Sequence, residues 1–173
     1  MPRLKANRLP NMLAFNGSSD FLTLPVLPST TGFNLAFWAI KRNFVNNARI
    51  VDFQDSGPED GFTILEITGG KTEFASRNGA VVTGAIDSNR NINGELCHYV
   101  LTFDGTVAKM YENGVLVGTD SSSTMSAPSL TALYIGRRSA SSANFWNGKL
   151  GELVFQNSTT PWTQAQVSDL YYN

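Results

Sequence analysis

Few residues of this 173-residue chain could carry catalysis, and their spacing is poor for it. Glycoside hydrolysis needs two carboxyl groups about 5–5.5 Å apart for retention of configuration, or roughly 6.5–9.5 Å apart for inversion. Glu66 and Glu73 flank a Thr-Gly-Gly turn and could face each other across a hairpin, where we expect a solvated surface pair. The other close carboxylates surround a single turn: Asp52 with Asp55, and Glu59 with Asp60. We therefore expect a protein that is not an enzyme.

Nucleophiles, bases and soft metal ligands are equally scarce. His98 is the only histidine, and no Gly-x-Ser-x-Gly motif provides a nucleophile elbow. Cys97 is the only cysteine, so we expect neither an internal disulfide nor a thiolate zinc site. These absences favour a binding protein over a hydrolase.

The composition excludes several other classes of protein. Thirteen basic and fourteen acidic residues give a formal net charge of −1, which offers no attraction to nucleic-acid phosphates. Apolar residues make up 42% of the chain and aromatic residues 11%, which is typical of one folded domain and not of a disordered chain. No apolar run approaches the roughly eighteen residues of a membrane span, and residues 1–15 lack the apolar run of a secretory signal. We expect no nucleic-acid binding, no membrane insertion and no signal peptide.

Short alternating stretches separated by turn signals predict the elements that would position a site. Residues 33–40 are largely apolar on both faces, which is typical of a central strand covered on both sides. Asn113-Gly114 signals a tight hairpin, and Thr163 is the expected cap of a short helix. Further strands are predicted at 49–53, 62–68, 72–76, 98–103, 108–111, 115–118, 132–135 and 149–156. The pattern predicts an all-β jelly-roll sandwich with one short C-terminal helix; residues 1–11 are assigned to an N-terminal arm and residues 12–173 to the domain.

Several segments, in this order, resemble the laminin G-like (pentraxin-like) branch of the concanavalin A-like jelly rolls. The opening segment is LAFNGSSDFLTLP at 13–25, and FNLAFW at 33–38 looks like the next strand with its buried Trp. The most specific match is HYVLTFDG at 98–105 followed by KMYENGVLV at 109–117. The remaining segments are LYIGR at 133–137, WNGKLGELV at 146–154 and VSDLY at 167–171. The resemblance spans nearly the whole chain and implies a concanavalin A-like sandwich of two antiparallel sheets.

The resemblance also implies a structural Ca²⁺ between the opening loop and a late strand. Carried over, its oxygen ligands would come from Asn16, Gly17 and Asp20, with Glu152 as the late partner. The sequence departs from the family pattern here, because the usual late acidic residue is displaced to Glu152. The alternative is an Asx-type turn at Asn16-Gly17 with Asp20 in solvent.

Carbohydrate binding is the commonest activity in the family that the chain resembles. Neutral sugars need aromatic rings for stacking, with amide and hydroxyl groups nearby. Trp38 and Trp162 are expected to pack against the core, whereas Trp146 is either a packing residue or a platform for a sugar. The candidate ligand-binding residues are Asn43, Phe44, Asn46, Asn47, Arg137, Arg138, Asn144 and Trp146.

Together these observations predict a non-catalytic recognition or adhesion module that binds a glycan or cell-surface polysaccharide. Because neither a signal peptide nor a disulfide is expected, a virion protein is favoured over a secreted lectin. The predicted location is therefore extracellular or on a virion surface, as a decoration or fibre component. Two alternatives stay open. One is a structural virion protein that binds other virion subunits or copies of itself, and the other is a carbohydrate-binding module of a secreted glycoside hydrolase.

Overall fold

The computed structural model describes residues 11–25, 28–55, 60–79, 81–89, 91, 93–126, 132–139 and 141–172. The predicted N-terminal arm, residues 1–11, lies outside the described residues except for Asn11. The described residues form twelve strands and one helix: β1 Leu13–Asn16, β2 Leu22–Leu24, β3 Phe33–Lys41, β4 Arg49–Gln54, β5 Gly61–Ile67, β6 Lys71–Asn78, β7 Val81–Asp87, β8 Leu96–Phe103, β9 Ala108–Glu112, β10 Val115–Asp120, β11 Leu133–Ile135, β12 Asn147–Asn157 and α1 Gln164–Tyr172.

The strands form two six-stranded antiparallel sheets. Sheet A has the order β1-β12-β3-β8-β9-β10, and sheet B has the order β2-β11-β4-β5-β6-β7. The first and last strands of the chain are therefore neighbours, which is the return connection of a jelly roll. This confirms the predicted all-β sandwich of two antiparallel sheets with one short C-terminal helix.

Strand β3 is buried on both faces, as its sequence predicts. Phe33, Leu35 and Phe37 point between the sheets, where the ring of Phe33 stacks on that of Phe62 with centroids 4.6 Å apart. On the opposite face, Ala36 packs beneath α1. A strand covered on both sides needs apolar residues at successive positions, and this accounts for the absence of a polar face in residues 33–40.

The helix is held over the outer face of sheet A by a few contacts. Val167 is its only fully buried residue, and Tyr171 stacks on Trp38 with ring centroids 5.6 Å apart. Thr163 caps the helix as expected: the Gln166 backbone N–H donates to Thr163 Oγ1 at 3.3 Å, and Gln166 Oε1 accepts the Thr163 N–H at 2.9 Å. This reciprocal pair satisfies two donors at the helix N-terminus.

Strand β7 is the one described strand that neither the alternation nor the resemblance indicated. Its sequence, VVTGAID, is interrupted by Gly84, and its first two valines are exposed at the edge of sheet B. A Cβ on Gly84 would lie 2.9 Å from Asp120 Oδ1, so the glycine allows the segment that carries Asp120 to approach β7 closely. The edge position and the glycine together remove the alternation by which strands are recognised.

Three loops meet at one end of the sandwich, which we call the loop end. They are the opening loop (residues 17–21, between β1 and β2), the Asn loop (residues 42–48, between β3 and β4) and the Arg loop (residues 136–146, between β11 and β12). Because successive strands run in opposite directions, these connections return to the same end of the two sheets.

Candidate functional site at the loop end

Backbone hydrogen bonds tie the Asn loop to the Arg loop. The Arg49 N–H donates to Asn144 O at 2.9 Å, and the Arg42 N–H donates to Asn147 O at 3.1 Å. The opening loop lies beside them, since Asn16 pairs with Asn147 in sheet A. All eight candidate ligand residues therefore lie at one end of the molecule: Asn43, Phe44, Asn46, Asn47, Arg137, Arg138, Asn144 and Trp146.

An arginine held between two aromatic rings lies on this surface. The Arg137 guanidinium carbon lies 4.1 Å from the ring centroid of Phe21 and 4.9 Å from that of Tyr134. Its Nη1 donates to Ser142 Oγ at 2.8 Å. Phe21 is 43% exposed, so the group presents an open aromatic surface beside a positive charge. We call Phe21, Tyr134 and Arg137 the Arg137 stack.

Sequence reasoning selected Arg137 but missed the two rings beneath it. Tyr134 lies between Leu133 and Ile135, which are both fully buried in the core. Strand alternation therefore turns the Tyr134 ring to the outer face of sheet B, and this signal was present in the sequence. Phe21 directly follows the opening-loop turn, and no periodicity marks an exposed ring there.

The Arg loop is fastened to sheet B through a buried carboxylate. The Ser139 N–H donates to Asp52 Oδ2 at 2.7 Å, and the Ser139 hydroxyl donates to the same oxygen at 2.6 Å. Arg49 Nε lies 3.7 Å from the other oxygen of Asp52. Burial raises the pKa of Asp52, whereas Arg49 and the Ser139 donors act in the opposite direction. These contacts fix the middle of the loop that carries Arg137 and Arg138.

The Asn loop presents its side chains to solvent. Asn43, Asn46 and Asn47 are exposed, and Phe44 is 40% exposed. Asn47 has a backbone φ of 64°, a conformation that asparagine adopts more readily than most residues. The loop thus offers one aromatic ring and three amides for hydrogen bonding next to the Arg loop.

Glu66 supports both loops from below. Its Oε1 accepts the Trp146 Nε1–H at 2.9 Å, and its Oε2 accepts the Val45 backbone N–H at 3.1 Å. Its backbone oxygen also accepts the Asn47 N–H at 2.8 Å, and its N–H donates to Ala48 O at 2.9 Å. One fully buried residue at the end of β5 therefore holds the base of the Arg loop and most of the Asn loop.

The assignment of Trp146 to the ligand-binding residues is wrong. Its side chain is 0% exposed and packs against Phe15, with ring centroids 5.5 Å apart. Its one polar atom is bonded to Glu66. Trp146 is thus the packing residue of the two alternatives, and its ring offers no platform for a sugar.

The expected solvated pair of Glu66 and Glu73 is also wrong. Across the β5–β6 hairpin Glu66 pairs with Thr72, and Glu73 pairs with Leu65. This register places the two carboxylates on opposite faces of sheet B. Glu66 points into the core, where burial raises its pKa, opposed by the Val45 N–H, the Lys41 ammonium and the Trp146 N–H.

Lys41 is the cation that accompanies Glu66 in the core. It is almost fully buried, and its Nζ donates to the Gly70 carbonyl oxygen at the β5–β6 turn. Burial lowers the pKa of Lys41, while the charges of Glu66 and Glu112 raise it. The pair therefore adds a polar anchor to an otherwise apolar interior.

Glu73 has a different carboxylate partner, Asp87, directly opposite it on β7. The pKa of Glu73 is raised to about 7 by burial and by the hydrogen bond and charge of Asp87, while the charges of Arg49 and Arg77 oppose this rise. Two carboxyl groups in hydrogen-bond contact leave no space for a glycosidic bond between them. This geometry does not provide the acid and base of a glycosidase.

The implied calcium ligands do not come together. Asn16 Oδ1 accepts backbone N–H groups from Ser18 at 2.8 Å and Ser19 at 2.9 Å, and Asp20 Oδ2 accepts the Asn16 N–H at 3.1 Å. These are the bonds of an Asx-type turn closed on itself. Glu152 stands five residues beyond Asn147 along β12, roughly 16 Å from the position paired with Asn16. The set Asn16, Gly17, Asp20 and Glu152 therefore does not fit a single Ca²⁺ ion.

Within the described ranges no cluster of three or more His, Cys, Asp or Glu side chains could hold a metal ion. Among the same residues, no helix has the length and apolar character needed to cross a bilayer.

Solved structures with the same fold include proteins of several kinds. Over 91% of this chain and 80% of the other, the heptameric SAP-like pentraxin from Limulus polyphemus superposes with a TM-score of 0.66 at 19% identity. Domain 4 of AbnA, an extracellular arabinanase from Geobacillus stearothermophilus solved with arabinotriose, gives 0.70 at 18% identity over 92% and 76% of the two chains. The Trypanosoma rangeli sialidase gives 0.72 at 16% identity, and this chain covers 28% of its length. At these identities the similarity shows the fold.

Sequence comparison supplies the family. No curated protein matches the chain. The family model Laminin_G_3, described as the concanavalin A-like lectin/glucanases superfamily, matches residues 16–168, which is most of the chain. The match confirms the resemblance drawn from the sequence segments, and the chain belongs to the concanavalin A-like lectin/glucanases superfamily.

Proposed function

We propose that this protein is a non-catalytic recognition module that binds a glycan at its loop end. The observation that carries the proposal is the Arg137 stack, an exposed phenylalanine and a tyrosine joined by a guanidinium. Sugar rings bind through their apolar C–H faces to aromatic rings and through their hydroxyls to amides and guanidinium groups. The Asn loop, at the same end of the molecule, provides the amides and a further exposed ring, Phe44.

The anchoring of the two loops supports this proposal. Binding to a preformed surface avoids the cost of ordering side chains and loops when the ligand arrives. Glu66 and Asp52 hold the Asn and Arg loops through buried hydrogen bonds, while the ring of Phe44 and the Arg137 stack remain outside. A rigid base carrying exposed rings is suited to a ligand that is recognised by shape and hydrogen bonding.

The carboxylates support a binding role without catalysis. Glu66 is enclosed in the core and Asp52 lies under the Arg loop, so neither can reach a glycosidic bond in solvent. Glu73 and Asp87 are in contact with each other on β6 and β7. The bound arabinotriose of the arabinanase domain gives a precedent within this fold for a sugar ligand.

We extend the proposal to display on a surface such as a virus particle, in an extracellular setting and in contact with other protein subunits. The edge strands of sheets A and B carry the exposed apolar residues Val115 and Val81, which are 67% and 65% exposed. Exposed apolar edges favour association with another protein. Light scattering of the purified protein tests this part, since a strict monomer at high concentration would argue against subunit contacts.

The central test is binding of the purified chain to a panel of immobilised glycans. We expect saturable binding to a defined glycan, and a loss of about two- to tenfold in affinity for Phe21→Ala and for Phe44→Ala, since stacking on an aromatic ring contributes about 0.5–1.5 kcal/mol. Tyr172→Ala is the matched control, because it removes an exposed aromatic ring on α1 over sheet A. Silence across the panel, or equal losses for all three variants, would contradict a glycan site at the loop end.

A further inference from the structure

We infer that the glycan bound at the loop end is an acidic one, and that Arg137 is the residue that recognises its carboxylate. This inference rests on the proposed function and specifies the ligand class of the same site. The chemical class is a uronic or sialic acid, in which a sugar ring carries a carboxylate.

The charge of the three loops is the first observation. The opening, Asn and Arg loops contain Arg42, Arg137 and Arg138 against a single acidic residue, Asp20. Their formal charge is therefore +2, while the whole chain has a net charge of −1. The Asp20 carboxylate is already occupied, because its Oδ2 accepts the Asn16 N–H at 3.1 Å. A positive patch on a nearly neutral protein favours an anionic partner.

The unused hydrogen-bonding capacity of Arg137 is the second observation. Its Nη1 donates to Ser142 Oγ, and its Nε is buried without a hydrogen-bond partner, so the Nη groups at the end of the guanidinium are the donors that can meet a ligand. Among the described residues no carboxylate forms an ion pair with Arg137, so its charge is compensated only by the two rings. A guanidinium presents its donors as a planar fork that matches the two oxygens of a carboxylate.

The orientation of the guanidinium is the third observation. Two rings, with centroids 4.1 and 4.9 Å from its central carbon, and the bond to Ser142 restrict its rotation. An arginine fixed in this way loses less side-chain freedom on binding than a free surface arginine. Arg42 is the natural comparison, since it is exposed on the adjoining loop without a ring contact among the described residues.

The test compares acidic polysaccharides with their neutral counterparts. Polygalacturonate, hyaluronate, alginate and polysialate are immobilised beside the same polymers after chemical reduction of their carboxyl groups, which keeps the sugar rings and removes the charge. We expect the wild-type protein to bind at least one acidic polymer more tightly than its reduced form. Arg137→Gln should weaken binding to that polymer about ten- to a hundredfold and weaken binding to the reduced polymer much less, since a hydrogen bond to a hydroxyl contributes less than one to a carboxylate.

Two further variants separate recognition from general attraction. Arg137→Lys keeps the charge and loses the planar fork, so most of the loss should persist in it. Arg42→Gln removes the same charge without disturbing the stack and should weaken binding less than about threefold. Equal losses for Arg42→Gln and Arg137→Gln would overturn the inference, as would equal binding to the acidic and reduced polymers. Binding to neither class of polymer, together with silence on the neutral glycan panel, would overturn the proposed function as well.

Discussion

Glu66 offers the sharpest test of how the loop end is built, because one side chain supports two loops. Replacing it by leucine keeps the site apolar and similar in size but removes both acceptor oxygens. The Trp146 Nε1–H and the Val45 N–H, now bonded at 2.9 and 3.1 Å, would then be buried without partners. Lys41 would also lose a carboxylate that favours its charged form.

The expected loss follows from these two donors. An orphaned buried N–H costs about 1–3 kcal/mol, so two cost about 2–6 kcal/mol. Part of this is offset, because Glu66→Leu also removes a carboxylate whose burial is unfavourable, as the raised pKa of Glu66 indicates. We expect a net loss of about 3 kcal/mol in the free energy of unfolding, which corresponds to a fall of about 6–12 °C in Tm for a domain of this size.

Urea denaturation followed by tryptophan fluorescence measures this loss. Glu66→Gln keeps one acceptor oxygen and should lose less than Glu66→Leu. Glu152→Gln, an exposed glutamate on β12, is the control and should stay within about 0.5 kcal/mol of the wild type. If Glu66→Leu unfolds at the same urea concentration as the control, the two hydrogen bonds do not support the loops and the reasoning is refuted.

Three further outcomes are expected. Val167→Ala, which removes the one fully buried side chain of α1, should lower the free energy of unfolding by about 1.5–2 kcal/mol in a urea titration. Glu73 has its pKa raised to about 7 beside Asp87, so the folded state binds more protons than the unfolded state between pH 4.5 and 7. Stability should therefore fall as the pH rises through this window, and Glu73→Gln should flatten the dependence measured by thermal melts. Gly148→Ala would place a Cβ 2.6 Å from Ile40 O and should cost about 1–3 kcal/mol by calorimetry.

Two control variants separate these effects from a non-specific loss of stability. Val81→Ala removes an exposed valine of sheet B and should leave the urea midpoint nearly unchanged, unlike Val167→Ala. Asp169→Asn removes an exposed carboxylate on α1, and its melts should retain the pH dependence of the wild type. An equal flattening in Asp169→Asn and Glu73→Gln would contradict the assignment to the Glu73–Asp87 pair.

The strands were predictable wherever burial imposes a regular pattern. Residues 33–40 are covered by the opposing sheet on one face and by α1 and its neighbours on the other, so both faces are largely apolar; the exception, Asn34, is buried and donates to Thr160 O at 3.0 Å. The hairpin at Asn113-Gly114 was equally clear, because Asn and Gly are the residues that tolerate the positive φ of a tight hairpin turn. In the structure the two residues have φ of 51° and 79°. Strand β7 was not predictable from the sequence, for two reasons. An edge strand pairs with only one neighbour, and the glycine at position 84 is required by the close approach of Asp120 and Ser123, which lie far away in the sequence.

The site was predictable in its location and less so in its parts. Polar loops marked the loop end, and Arg137 was selected on residue type. The rings that orient it come from β11 and from the opening loop, and their meeting depends on the pairing of β2 with β11 more than a hundred residues apart. The calcium ligand set implied by the resemblance did not come together for a similar reason, because the register of β1 against β12 decides where Glu152 lies relative to Asn16.

Glu66 shows why carboxylates are especially hard to interpret from sequence in a sandwich of this kind. A glutamate beside a Gly-Gly turn is typical of a surface residue, and only a one-residue difference in register separates Glu66 from the outer face of the same hairpin. What keeps it inside is the combination of the Trp146 indole N–H, the Val45 backbone N–H and the buried Lys41, each contributed by a different strand or loop. Such a cluster costs desolvation energy, which the fold recovers by fixing two surface loops at once. The polar residues that matter most for this surface are therefore those that lie beneath it and cannot touch a ligand.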